Sequence, residues 1–199
     1  MTQFIRHRIN RIAELGDVNP DCGVEIDLRS DVAAEGTLHL SHEPWKRGDD
    51  FTAWLTAFKA RKIAGPLILN TKEDGLEERV MEVLSQEGID HYFFLDTALP
   101  TLVRLTSGGR HRKFAVRLSS FEGVEGVRRF QSLVDWVWVD CFGGKPLPAD
   151  SVAELKGAFR LCLVSPELQG QPVDAIGGFA ELGRLSDAIC TKRPDLWRL

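Results

Sequence analysis

The sequence predicts an α/β fold in which strands and helices alternate from one end of the chain to the other. Short apolar runs rich in β-branched and aromatic residues recur along its length, and most are separated by stretches with the apolar spacing of amphipathic helices. A chain of 199 residues, 43% of them hydrophobic, also has enough apolar material for one packed core, so residues 1–199 are read as a single domain.

Taken in order, the predicted strands are a first one near residues 4–7, then 23–28, 37–42, 66–70, 92–95, 114–118, 136–139, 161–164 and 187–190. A helix over residues 50–62 would place Phe51, Trp54, Leu55 and Phe58 on one face, and a second over 76–86 would do the same for Val80, Val83 and Leu84. Further helices are predicted over 101–106, 124–133, 151–159 and part of 178–185. This alternation argues for a parallel sheet, which an open doubly wound sheet and a closed eight-stranded barrel both satisfy. No low-complexity segment, flexible linker or longer repeat interrupts the pattern.

The 25 basic and 29 acidic residues are interspersed and leave a net charge of -4, so the chain carries no general footprint for nucleic acid or an acidic membrane. Phosphate recognition, if present, must be local. No apolar segment is long enough for a signal peptide or a membrane span, and the expected compartment is the cytoplasm. Cys22, Cys141, Cys162 and Cys190 share no CxxC spacing and sit in or beside apolar runs, which suits reduced, buried thiols.

Charged and polar residues recur where apolar runs stop: Glu25 and Asp27, His42 and Glu43, Asn70 and Lys72, Asp96, Arg117, Asp140, Glu167 and Lys192. In parallel α/β folds the carboxyl ends of the strands form the functional face. Glu25 and Asp27 are two apart on one strand, so both carboxylates point to one side, roughly 6.6 Å apart. Such a pair needs a cation or basic partners if it is buried, and is a solvated, alternating edge if it is not. His7 and His42 sit at strand ends with the side chain best suited to proton transfer near neutrality, although a lone histidine is more often structural. Lys72 shares a strand face with Asn70 and can meet a phosphoryl oxygen or pair with an acid. Trp45, Trp136 and Trp138 offer either a wall for a sugar ring or core packing.

Read together, His7-Arg8, Glu25-x-Asp27, His42-Glu43, Asn70-Thr71-Lys72 and the closing Asp187 to Pro194 segment resemble the glycerophosphodiester phosphodiesterase family, within the phosphatidylinositol phospholipase C-like superfamily. The resemblance spans nearly the whole chain and lies in the ordered spacing of the motifs. It implies a TIM-like (β/α)8 barrel, minimal or distorted, that hydrolyses a phosphodiester. By position it implies His7 and His42 as the acid/base pair, Glu25, Asp27 and Asn70 as ligands of a weakly bound magnesium or calcium ion, and Arg8 and Lys72 as phosphate-binding cations. Apart from the resemblance, the strand-end residues Asp96, Arg117, Asp140 and Glu167 either line the mouth and read a polyhydroxylated substrate, Arg117 and Glu167 foremost, or are structural ion pairs.

The chain departs from the family pattern at Asn70, where a third carboxylate is usual, at Ile9 in place of glycine, and at Glu43 in place of aspartate. Only eight residues separate His42 from Phe51, which leaves no room for the family's insertion. The expected ligand is therefore a small phosphodiester or phosphorylated molecule, with a sugar or polyol group as admissible as glycerol. Two rival readings are a barrel that binds a phosphorylated ligand without turnover and a sugar-phosphate isomerase or lyase.

Overall fold

The computed structural model describes residues 2–31, 34 and 36–199. Nine strands are formed among them: β1 (Gln3–Arg6), β2 (Gly23–Ser30), β3 (Leu38–Leu40), β4 (Leu67–Thr71), β5 (Tyr92–Leu95), β6 (Ala115–Leu118), β7 (Trp136–Val139), β8 (Arg160–Val164) and β9 (Ala188–Thr191). The helices are α1 (Phe51–Ala60), α2 (Glu77–Gln86), α3 (Leu99–Thr106), α4 (Val124–Arg128), α5 (Ala149–Ala153) and α6 (Ala180–Leu185). These elements form two compact units, one made of the segment ending at Ile5 with Leu105–Leu199, the other of Arg6–Arg104.

Within Arg6–Arg104 the parallel strands run in the order β5, β4, β2. Ile26, Leu69 and Phe94 are fully buried, as strands covered on both faces require. The register places Asp27 abreast of Asn70 and Glu25 abreast of Ile68. Asp50 caps α1 by accepting a hydrogen bond from the Ala53 N–H at 2.9 Å, and the predicted face of Phe51, Trp54, Leu55 and Phe58 is buried throughout. The Glu77 carboxylate of α2 is also buried, where it accepts hydrogen bonds from Thr71 Oγ1 at 3.2 Å and Gly75 N–H at 3.1 Å. That contact fastens the helix to the end of β4.

β3 departs from the alternation. It runs antiparallel to β2, with Leu40 opposite Leu28, so it belongs to a hairpin-like excursion and is not a step in the parallel series. Apolar patterning cannot distinguish the two, because a strand has the same side-chain period in either direction.

In the other unit the strands run β1, β9, β8, β7, β6, with parallel registers from β6 to β9. The first and last strands are neighbours, as the barrel reading required, and the Gln3 N–H donates to the Asp187 carbonyl at 2.9 Å. Val137, Leu161, Leu163 and Ile189 are fully buried, and Trp136 and Trp138 are core residues. α4 and α5 are shorter than the predicted 124–133 and 151–159. Beyond them Ser132 and Gly157 adopt positive φ of 70° and 94°, a conformation that a right-handed helix cannot continue through.

Candidate active site

The site within Arg6–Arg104 begins with two acids that water does not reach, Glu25 at 1% exposure and Asp27 at 0%. Their positions on β2 put both on one side of the strand, and an isolated buried carboxylate is costly, so each is surrounded by donors. Asp27 Oδ1 lies 3.0 Å from the Lys72 ammonium. Its Oδ2 accepts a hydrogen bond from Asn10 Nδ2 at 2.7 Å and lies 3.8 Å from Arg8 Nε. Glu25 Oε2 accepts the Arg8 main-chain N–H at 2.8 Å and lies 3.7 Å from His7 Nε2, while Oε1 accepts from Asn70 Nδ2 at 3.3 Å. Burial, reinforced by the charge of Asp27, pushes the Glu25 carboxyl up to about 7. The Arg8 N–H, Lys72 and Asn70 oppose that rise.

Arg8 holds a left-handed backbone with φ 55°, sparsely populated for a residue with a side chain, at the place where the related motif has its arginine followed by glycine. Its Nη2 lies 2.6 Å from His42 Nε2. A guanidinium has no acceptor, so the imidazole nitrogen must be accepting, and the ring proton is on Nδ1, which faces Glu43 Oε1 at 3.1 Å. These two contacts set the roles of the ring nitrogens, Nε2 accepting from Arg8 and Nδ1 donating to Glu43. The same hydrogen bond holds Glu43 below the usual carboxylate range. His42 reaches this place because β3 turns back along β2, where the Ser41 N–H donates to the Asp27 carbonyl at 3.0 Å.

Of the residues singled out in the sequence, His7, Arg8, Glu25, Asp27, His42, Asn70 and Lys72 are brought together. Arg117 and Glu167 belong to the other unit and have local partners there. Arg117 pairs with Asp140 and lies over the Phe142 ring at 5.5 Å. Glu167 accepts from Ser165, from Thr191 Oγ1 at 2.5 Å and from the Lys192 N–H at 3.0 Å, joining the ends of β8 and β9. All four cysteines are reduced thiols and buried. Sequence reasoning missed Asn10, whose amide both donates to the Asp27 carboxylate and accepts the Asp27 N–H at 2.8 Å. A short polar residue just outside a strand gives no periodic signal that would single it out.

Among the described residues no three His, Cys, Asp or Glu side chains gather closely enough to hold a metal. The third donor expected from the sequence is an amide, however, and among the described residues the buried Asn70 Oδ1 has no hydrogen-bond partner. Two buried carboxylates and an unsatisfied amide oxygen are hard oxygen donors of the kind magnesium and calcium accept, so this donor set fits such an ion.

No family model matches the sequence, and a comparison with curated proteins finds no match. Solved structures do match over almost the whole chain. A glycerophosphodiester phosphodiesterase from Agrobacterium tumefaciens aligns with a TM-score of 0.70 at 16% identity, over 99% of this chain and 97% of that one. An Oleispira antarctica phosphodiesterase in complex with the product sn-glycerol-3-phosphate aligns with a TM-score of 0.67 at 14% identity, over 98% and 94% of the two chains. The chain has the fold of these phosphodiesterases. It is an α/β protein of the distorted (β/α)8 barrel type. A glycerol uptake operon antiterminator-related protein from Thermotoga maritima also aligns, with a TM-score of 0.58 at 17% identity, over 100% and 99% of the two chains. Among the described residues no helix is long and apolar enough to cross a membrane.

Proposed function

We propose that this protein is a single-domain cytoplasmic enzyme that hydrolyses a small phosphodiester. The observation that carries the reading is the gathering of His7, Arg8 and Lys72 on the buried Glu25 and Asp27, with His42 joined to them through Arg8. The fold shared with known phosphodiesterases, one of them bound to sn-glycerol-3-phosphate, supports it.

Lys72 and Arg8 would bind the phosphate oxygens, Lys72 as a point charge and Arg8 through its planar fork. An arriving phosphate competes for the Arg8 guanidinium now held by His42 Nε2. Drawing Arg8 away frees that nitrogen to take a proton from the attacking hydroxyl, a substrate hydroxyl or water, and Glu43 on Nδ1 stabilises the imidazolium that results. His7, which lies against Glu25 with Nε2 3.7 Å from its carboxylate, would protonate the departing oxygen. Asn10 keeps Asp27 in register with Lys72. Glu25, Asp27 and Asn70 would hold a magnesium or calcium ion, which when bound offsets charge on the phosphoryl group.

The test is a panel of phosphodiesters followed by phosphorus NMR for release of monoester. His42→Ala and His7→Ala should each lower the rate about 100-fold or more. Hydrolysis that survives His42→Ala at full rate, or no turnover on any member with metal supplied, would sink the proposal. The second outcome favours a barrel that binds a phosphorylated ligand without turnover. Neutral Asn70 in place of a third carboxylate, and the antiterminator-related neighbour of the same fold, support that second reading.

A further inference from the structure

Beside His42 the segment 41–49 encloses a cleft of about 450 Å³, with Asn10, Arg11, His42, Lys46, Arg47 and Asp49 in its wall. Its base is well fixed. The Leu40 N–H donates to the Asp49 carbonyl at 2.9 Å, and the Asp49 carboxylate accepts the Ile12 N–H at 2.6 Å. The cleft is continuous with the site described above, because His42 meets Arg8 and Asn10 holds Asp27.

Most charges in this wall are already committed. Arg47 pairs with Asp31 at 2.9 Å, the Asp49 carboxylate accepts the Ile12 N–H, and Glu43 faces His42 with Lys46 near enough to help hold its carboxyl low. Arg11 and Lys46 are different: among the described residues neither has a carboxylate within ion-pair distance. Two cations without a close ion pair, joined by Arg47 in one polar cleft beside the site, favour a second negative charge on the ligand.

We propose that this cleft is an anion subsite: it takes a phosphate or carboxylate group carried by the part of the substrate beyond the phosphate held at Lys72. The inference rests on the phosphodiester reading and narrows it to substrates with an additional anionic group. Arg11 supplies a fork for two oxygens and Lys46 a point charge, so either anion is accommodated.

Calorimetry with propyl phosphate, propane-1,3-diol bisphosphate and 3-phosphooxypropanoate tests the idea and tells which anion fits. The protein should bind at least one doubly headed ligand about tenfold or more tightly than propyl phosphate, with the gain shrinking as salt is raised. The double variant Arg11→Ala, Lys46→Ala should lose that gain and keep its affinity for propyl phosphate. Both side chains are exposed, and the Arg11 hydrogen bond to Glu14 comes from the main chain. An unchanged melting temperature, or the same result from the paired glutamine variant, therefore shows that the loss is local. Equal affinity for all three ligands, or a gain that survives the double variant, overturns the proposal. Lys72→Ala separates the two claims: it should weaken all three ligands, and if it weakens none the phosphodiester reading falls. A gain still abolished by the double variant would support the anion subsite in its own right.

Discussion

At the scale of single residues, Glu25 makes the clearest solution prediction. Its carboxyl is raised to about 7 by burial and by the neighbouring charge of Asp27, whereas in the unfolded chain it titrates in the ordinary acid range. The folded state therefore binds the proton more tightly than the unfolded one. Stability from this group is complete below the unfolded value and is lost as pH rises towards 7. Glu25→Gln removes the titration, so with divalent cations chelated its melting temperature relative to the parent should rise between pH 5 and pH 8. The relative gain is on the order of 3 kcal/mol at most. A flat difference across that range would show that Glu25 stays ionised in the fold. Asn70 gives the complementary test. Asn70→Glu adds a third carboxylate beside Glu25 and Asp27, so it should destabilise the metal-free protein and bind magnesium or calcium more tightly, while Asp27→Asn binds more weakly. Calorimetry with each ion reads both. Unchanged affinity in both variants would leave Asp27 as the ion-pair partner of Lys72 and Arg8 alone.

At the scale of elements, the segment leading from β3 to α1 depends on a close backbone approach. A Cβ at Gly48 would lie 1.6 Å from the Leu40 carbonyl oxygen, and no rotamer change relieves a clash with the main chain. Gly48→Ala should lower stability by more than about 2 kcal/mol in urea titrations and displace His42. Asp50→Ala, which removes only the cap of α1, should cost about 1 kcal/mol. The two differ because one is a missing hydrogen bond and the other an impossible contact. The same segment marks where the sequence was legible and where it was not. The apolar runs located β2 to β9, and the α1 face of Phe51, Trp54, Leu55 and Phe58 was readable from spacing alone. The direction of β3 was not, because side-chain period carries no sign. The acids of β2 were visible as a pair, but whether they faced solvent or cations depended on partners distant in sequence, Lys72 and Asn10 among them.

At the scale of the whole molecule, the four buried thiols are reporters spaced through the fold: Cys22 lies in Arg6–Arg104, and Cys141, Cys162 and Cys190 in the other unit. Burial raises the Cys22 and Cys141 thiols, which keeps them protonated and poorly nucleophilic. A disulfide reagent at pH 8 should therefore modify the native protein slowly, and residues 1–199 acting as one cooperative domain should release all four cysteines at a common rate. Mass spectrometry of labelled peptides would detect a separate fast phase at Cys22, which would mean that the two units open independently.

The way residues 41–49 are held also bears on how the cleft beside His42 could change its shape. The hydrogen bonds at its base, Leu40 to Asp49 and Ser41 to Asp27, lie outside the stretch that carries Trp45, which is 96% exposed. Extra residues placed after Trp45 would lengthen a closed loop whose ends do not move, and each doubling of such a loop costs only about 0.6 kcal/mol in closure entropy. A flexible insert of about ten residues there should leave His42 in place and the melting temperature nearly unchanged. The wall of the cleft could then be rebuilt by lengthening a single loop, with His42 and its partners Arg8 and Glu43 left where they are.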